Sequence, residues 1–416
     1  MHPAPEKWQV RRYPEVMAHR NVEQEIEALN RLREAPPADA IPALRKALAD
    51  RVNLIVAKAA KIAAERQLRD LLPDLLRAFD HLFEKPAARD PQCWGKNAIS
   101  HALVALEHRQ AAPFLRGLRH VQLEPVWGGE EDTAATLRGA CALALPACVD
   151  IERSLVLRHF VDSLADRAVP VRSDVLRALA QMEGDEAILL LRLKACLGDE
   201  ESQIVGQAFD HLLQLEGRQA LDFVAGFLPR RSDAKAETVR EEAALSLGSS
   251  RLPEAVERLT GAWNRERDPQ FRLVLLRALS ATRQPDALEF LFNLLRIARL
   301  VEAVAAVEAL SLHRDSPEIR RQVEERSPPR ARSAPAIPSI FRSCRACLTP
   351  PAHADVGQTI VFRGLSTFVS AADLTIVDAW DRPSSFVVCQ PALPGRVWPR
   401  QRSTTAVFTD PTRRAS

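Results

Sequence analysis

The chain has 416 residues, enough for two or three ordinary domains or for one long repeat array. Only 15 glycines and one tyrosine, against abundant Ala, Leu and Arg, favour helices over sheets. No apolar run is long enough to cross a bilayer, and residues 1–16 lack the apolar centre of a secretory signal. Seven scattered cysteines, an odd number, argue against a disulfide framework and for a reducing, cytoplasmic setting.

The net charge of +3 is unevenly spread. Residues 327–416 hold 11 Arg and 5 Asp with neither Lys nor Glu, so the preceding body carries 46 basic and 49 acidic groups. A nucleic-acid binder is expected to show a basic face. The mildly acidic body disfavours that class.

In chain order, residues 1–20 read as irregular. Asn21 is placed to cap a helix, with Gln24 three residues on and Val22, Ile26, Leu29 and Leu32 forming its apolar side. Pro36 and Pro37 end this N-terminal segment, residues 1–37. Helix pairs are then expected at 40–48/54–64, 68–82/97–106 and 112–118/133–145. The second pair has an enlarged turn at 84–94, and the third has a long one at 120–131. Four more regular pairs follow at 151–165/169–181, 185–197/202–215, 218–228/236–247 and 253–264/269–281. A last pair at 286–296/299–312 and a polar helix at 316–326 close the array.

The clearest unit is residues 166–179, DRAVPVRSDVLRAL. Asp166 sits in a turn, and Pro170 falls in a first helical turn, where its missing N–H costs nothing. Val171, Val175, Leu176, Ala178 and Leu179 make an apolar stripe at helical period. Arg172 stands six residues after the aspartate. Asp132 with Arg138 repeats this spacing, and Asp268 with Arg272 gives a tighter version. Taking Leu137, Val171, Ile204, Val239 and Phe271 as equivalent, the steps are 34, 33, 35 and 32 residues. Such a period is the mark of stacked helical hairpins.

On those residues the chain, over about 38–326, resembles the bacterial HEAT-like repeats that include the phycobilin-lyase type. The resemblance implies an all-α solenoid of about eight helix pairs. It also implies an internal ladder in which the turn acids Asp132, Asp166 and Asp268 hold Arg138, Arg172 and Arg272. It implies no particular activity, because such repeats serve many roles. The HEAT-repeat deoxyhypusine hydroxylases bind iron through His-Glu dipeptides, and this chain has none.

After Arg326 the helical pattern stops. The stretch SPPRARSAPAIPS is a linker composition, and 11 of the 29 prolines lie in 327–416. This segment is read as a low-structure tail, and its loss of Lys and Glu suggests an out-of-frame extension. Cys344 and Cys347, with His353 and Cys389, superficially suggest a zinc site, but the second half lacks a paired spacing.

The two enlarged turns hold the least ordinary residues. Each places a Trp-Gly pair 33 residues apart, at Trp94 and Trp127, and stacked turns would set the two rings side by side. Lys96, His120, Gln122, Glu124, Glu130 and Asp132 add charge and hydrogen-bonding capacity nearby. These residues are the expected binding edge, together with the concave face of the solenoid. His120 and Glu124 are four apart, but Pro125 argues against the helix that a metal pair would need, so neither metal nor cofactor is expected. Cys141, Cys148 and Cys196 fall among apolar helix positions and are expected in the core. The reading is a protein-binding scaffold. Two alternatives are a phycobilin-lyase-like enzyme and an alkylation-repair-like nucleic-acid binder, which would need a basic groove.

Overall fold

The computed structural model describes residues 21–229, 234–297 and 300–326. The expectations for 1–20 and for the tail at 327–416 lie outside the described residues. Within them the fold is all-α apart from one small hairpin. Helices α1 (Val22–Arg31), α2 (Pro37–Leu48) and α3 (Asn53–Glu65) open the array. Next come α4 (Leu72–Leu82), the single turn α5 (Pro86–Arg89), α6 (Trp94–Ala105) and α7 (Ala111–Leu118). Strands β1 (Leu123–Val126) and β2 (Gly129–Asp132) precede α8 (Ala135–Ala144), α9 (Arg153–Ser163) and α10 (Val169–Met182). Then follow α11 (Gly184–Leu197), α12 (Ser202–Glu216), α13 (Arg218–Ala225), α14 (Ala234–Ser249) and α15 (Pro253–Arg265). The series closes with α16 (Pro269–Thr282), α17 (Pro285–Ile297), α18 (Leu300–Leu310) and α19 (Pro317–Arg326).

Eight pairs result: α2/α3, α4/α6, α7/α8, α9/α10, α11/α12, α13/α14, α15/α16 and α17/α18. The second members form one continuous layer, α3 on α6, α6 on α8, and so on to α18. We call these the B helices and their partners the A helices. Single helices of 8 to 16 residues are marginal alone, so the stack is held by mutual burial of the stripes. In α10, Val171, Val175, Leu176, Ala178 and Leu179 are all fully buried, as their spacing predicts. Asn21 caps α1, its Oδ1 accepting from the Gln24 amide at 3.1 Å. Helix α1 packs on α3, where Arg33 pairs with Glu65 at 2.9 Å.

The structure departs from the sequence reading at four places. The long turn at 120–131 is a β-hairpin in which Val126 faces Gly129 across a two-residue turn. Gly128 adopts φ +91° there, a conformation open to glycine, and a Gly-Gly pair after the alternating residues 121–125 is a hairpin signal. The helix expected at 68–82 begins at Leu72, after a 3-10 turn at Arg69–Leu71, because Pro73 suits only a first turn. The turn at 84–94 contains α5 and three residues at positive φ, Lys85, Gln92 and Cys93. Finally, Cys141 is buried and Cys148 half-buried as expected, but Cys196 is exposed, on the outer side of α11.

Leu179→Ala removes a side chain with no exposure from the α10 stripe. The expected loss is about 2–5 kcal/mol, from lost contact plus cavity. Urea denaturation followed by circular dichroism measures it, and an unchanged midpoint would contradict the shared spine.

Candidate functional site

The geometry of the turns explains why their charged residues recur. Arg138 grips Asp166 in the next turn with two bonds, Nε to Oδ2 at 2.8 Å and Nη2 to Oδ1 at 3.0 Å. It also reaches back to Asp132 at 2.7 Å and donates to the His120 carbonyl at 3.0 Å. Arg172 repeats this one unit on, holding Asp199 at 2.9 and 2.7 Å and donating to the Asp166 carbonyl at 2.7 Å. Arg240 pairs in turn with Glu266. The same carboxylates also tie the turn that leads into their own repeat's second helix. Asp166 accepts from the Ala168 amide at 2.8 Å, and Asp199 from the Glu201 amide at 2.9 Å. One acid per turn therefore serves two repeats.

Asp268 is not the partner of Arg272. It lies only four residues ahead of the arginine and caps α16, accepting from the Gln270 amide at 3.0 Å. The acid six residues back is Glu266, which belongs to the ladder. Arg272 instead reaches Glu302 at 2.6 Å and lies over the Trp263 ring at 3.8 Å. Val205 occupies the arginine position in α12 and interrupts the series.

Lys96 is the second rung's base and not a surface residue. It is fully buried, with Nζ 3.1 Å from the equally buried Asp90, whose carboxylate also caps α6 through the Gly95 and Lys96 amides at 2.7 and 2.9 Å. Asn53 completes this rung from the preceding repeat, donating to Asp90 at 2.9 Å. The spacing Asp90 to Lys96 is again six, a signal that the sequence reading overlooked. Cys93 is sealed beside this pair, and burial pushes its thiol up to about 11.

The hairpin is bolted onto the same turn by its inner face. Gln122, 2% exposed, donates to the Asp90 carbonyl at 2.8 Å and to Glu124 at 2.7 Å. Glu124 also accepts from Thr133 at 2.7 Å and from the Gln92 amide at 2.6 Å. Burial would raise this carboxyl, but those hydrogen bonds outweigh it and hold it below the usual range. Asp132 is likewise held down, burial being outweighed by the Gln122 amide, Arg138 and the Ala134 amide. His120 is half-buried, edge-on to Phe83 at 4.8 Å and 3.1 Å from Gln122, and burial lowers its pKa. His120 and Glu124 therefore act inside this network. Among the described residues, no three His, Cys, Asp or Glu side chains gather as a metal would require.

The outer side of the hairpin is different. Val121 and Leu123 are exposed at 57% and 55%, Pro125 is exposed beside them, and Trp127 at the tip is fully exposed. Glu130 and Glu131 are exposed on β2. The expected stacking of Trp94 on Trp127 does not occur. Trp94 is half-buried at the start of α6, while three steps along β1 at about 3.3 Å each carry Trp127 roughly 10 Å outward. No ring pair among the described residues joins them. Of the binding residues named from sequence, Trp127 and Glu130 are thus presented to solvent. Gln122, Glu124 and Asp132 anchor the hairpin, and Lys96 belongs to the core.

Two further surface features escaped the sequence reading. Leu189, Leu193 and Leu197 form an exposed stripe on α11, whose near-continuous apolar run was the available signal. On the B layer, Gly139 and Gly206 leave room for the carboxylates of Asp174 and Glu242 from the next repeat's B helix. Burial pushes Asp174 up. It pushes Asp210 up to about 6, partly offset by Ser246, and raises Glu242, with Asp210 adding to the effect.

A model of the HEAT-repeat family matches residues 224–311. Among solved structures, human deoxyhypusine hydroxylase in complex with glycerol is similar at 19% identity, covering 64% of this chain and 91% of that one, with a TM-score of 0.25. No curated protein matches. No helix of the described residues is long and apolar enough to cross a membrane.

Arg172→Met leaves Asp199, 3% exposed at its side chain, with Lys194 as its remaining cation. Breaking such a buried pair costs about 3–5 kcal/mol. Hydrogen exchange of α10 and α12 amides should accelerate accordingly, and unchanged protection would deny the ladder its energetic role. For Asp210, the folded pKa of about 6 lies above its ordinary 3.8, so the folded state retains a proton that the unfolded chain releases. Stability therefore falls as pH rises from about 4 through 6. Asp210→Asn should melt higher than the parent at pH 8 and equally at pH 4; a variant no more stable at pH 8 would contradict this.

Proposed function

We propose that this protein is a docking scaffold for a protein partner, and that the outer face of the β1–β2 hairpin is its principal contact. The observation that carries the reading is Trp127, fully exposed at a two-residue turn at the end of a segment that also exposes Val121, Leu123 and Val126. Trp127 is the one aromatic among the exposed large apolar side chains of the described residues. Tryptophan is the side chain most enriched at binding hot spots, and contiguous exposed apolar surface is uncommon on a protein with no partner.

The supporting argument is one of division. The base of the hairpin meets the requirements of folding, through Gln122 and Glu124 on its inner face and Asp132 at the end of β2. Beyond Asp132, the outward residues Val121, Leu123, Pro125 and Glu130 are exposed. An insertion that folded only to close a turn would need neither the two-residue tip nor a tryptophan there. A rigid repeat array that presents one such element matches the general use of loops on fixed scaffolds.

The test uses the full chain with a photo-crosslinking side chain in place of Trp127, expressed in its native host, and a second chain carrying it at Val149, exposed elsewhere. A discrete crosslinked protein at position 127 and not at 149 is expected. In the unlabelled chain, Trp127→Ala should reduce recovery of that protein about tenfold or more, while leaving the melting temperature unchanged, since the ring supports no contact in the fold. Equal recovery with the variant would remove the hairpin from the interface.

A further inference from the structure

The hairpin also discriminates by charge. From Val121 to Thr133 the chain has four acids and no Lys or Arg. Two of the acids, Glu124 and Asp132, are consumed internally. Glu130 and Glu131 remain, both exposed, and neither side chain is engaged among the described residues. The pairing register places them. Glu130 lies opposite Pro125, and Asp132 opposite Leu123, so Glu130 shares the outward face with Leu123 and Pro125. Glu131 lies opposite Glu124, on the other face, at the free edge of β2.

The outward face is therefore an apolar row, Val121, Leu123 and Pro125, with an unpaired carboxylate along one side and an indole at its end. The row is too narrow for a helix stripe to be buried on it and suits an extended segment. Pro125 bears on how that segment is held. It occupies a non-hydrogen-bonded position in the ladder, where a backbone N–H would point to the outer edge of β1, and it has none. That edge is closed to strand addition. On β2 the acids repel any acidic strand that would add there. What remains is side-chain recognition across the face. Apolar groups lie on Leu123 and Pro125, a cation meets Glu130, with Glu131 adding negative charge at the edge of β2, and a second cation can lie on the indole.

On these grounds, and resting on the docking reading above, we infer that the hairpin recognises an extended segment in which Arg or Lys alternates with apolar residues. An acidic or purely polar segment is refused. The acids supply selectivity and orientation, and the apolar row with Trp127 supplies most of the affinity. The two contributions separate by salt, because exposed charges are screened beyond about 8 Å at physiological ionic strength, whereas apolar contact is not.

The experiment is a fluorescence-anisotropy titration of the full chain with three labelled twelve-residue peptides, alternating Arg/Leu, Glu/Leu and Arg/Ser. The Arg/Leu peptide is expected to bind, and the other two at least about tenfold more weakly. Replacing both acids, Glu130→Gln with Glu131→Gln, should weaken Arg/Leu binding about three- to tenfold at 50 mM salt and have little effect at 500 mM. Trp127→Ala should weaken it at both salts.

Equal binding of the Glu/Leu peptide, an unchanged affinity in the double-glutamine chain, or no binding of the Arg/Leu peptide would each overturn the inference. The docking reading fails separately, through the crosslinking experiment. A partner captured at position 127 whose contacting segment is acidic would keep the interface and discard the charge rule.

Discussion

A carboxylate in the inter-helix turn, at Asp166, Asp199 and Glu266, joins repeat to repeat, and much of the array depends on it. Asp166 shows the arrangement fully. It accepts from the Ala168 amide, which closes the start of α10, and from both arms of Arg138 on α8. A helix start has unpaired amides and a partial positive charge, so an acid there is already favourable. Adding a guanidinium from the previous repeat neutralises the acid and fixes the distance between consecutive B helices. Apolar stripes alone would tolerate sliding along the layer. A bidentate pair 4% and 16% exposed at its two side chains does not. The pair supplies register, and the apolar spine supplies most of the stability.

The same logic explains why the hairpin sits where it does. Where the rung is Asp90 with Lys96, the cation is a point charge and cannot fork across to the following turn as arginine does. Its ammonium stays with Asp90, and the Asp90 carbonyl is left to another donor. Gln122 supplies it from the hairpin, and Glu124 takes the Gln92 amide in the strained turn beside it. The insertion thus completes a rung that lysine leaves unfinished. It is held by hydrogen bonds at its base while its tip projects freely.

Much of this was legible in the sequence because it is periodic. A stripe at helical spacing and a near-constant step between Leu137, Val171, Ile204, Val239 and Phe271 lead to the pairs and their order without any tertiary knowledge. Ladder partners were harder. Asp268 looks like the acid of its repeat, since it precedes Pro269 as a capping residue does, yet the six-residue offset belongs to Glu266. Chemistry alone did not separate the two; offset did, and the same offset marks Asp90 and Lys96. Burial of a lysine leaves no trace in composition, and Lys96, expected on the binding edge, is held in the core by Asp90. The hairpin went unseen for a related reason. Its two strands are four residues each, alternating over too short a span to compete with the surrounding helical period, although the Gly128–Gly129 pair marked the turn.

The division between the two faces of the hairpin follows from the period of two. Along residues 121–125, which lead into and through β1, Gln122 and Glu124 point to the array and Val121, Leu123 and Pro125 point away, so one extended segment serves folding on one side and is open on the other. Had the insertion been a helix turn, its side chains would have rotated through both environments, and anchoring would have claimed most of them. Glu124 and Asp132 are drawn into the fold, their carboxyls held low by hydrogen bonds, while Glu130, paired with Pro125 nearer the tip, is left free. Substitutions on the outer row should therefore alter binding without touching stability, whereas changes at Gln122 or Glu124 should affect both. That asymmetry separates a docking element from a mere elongated turn, since a turn with no partner would show no position where binding alone responds.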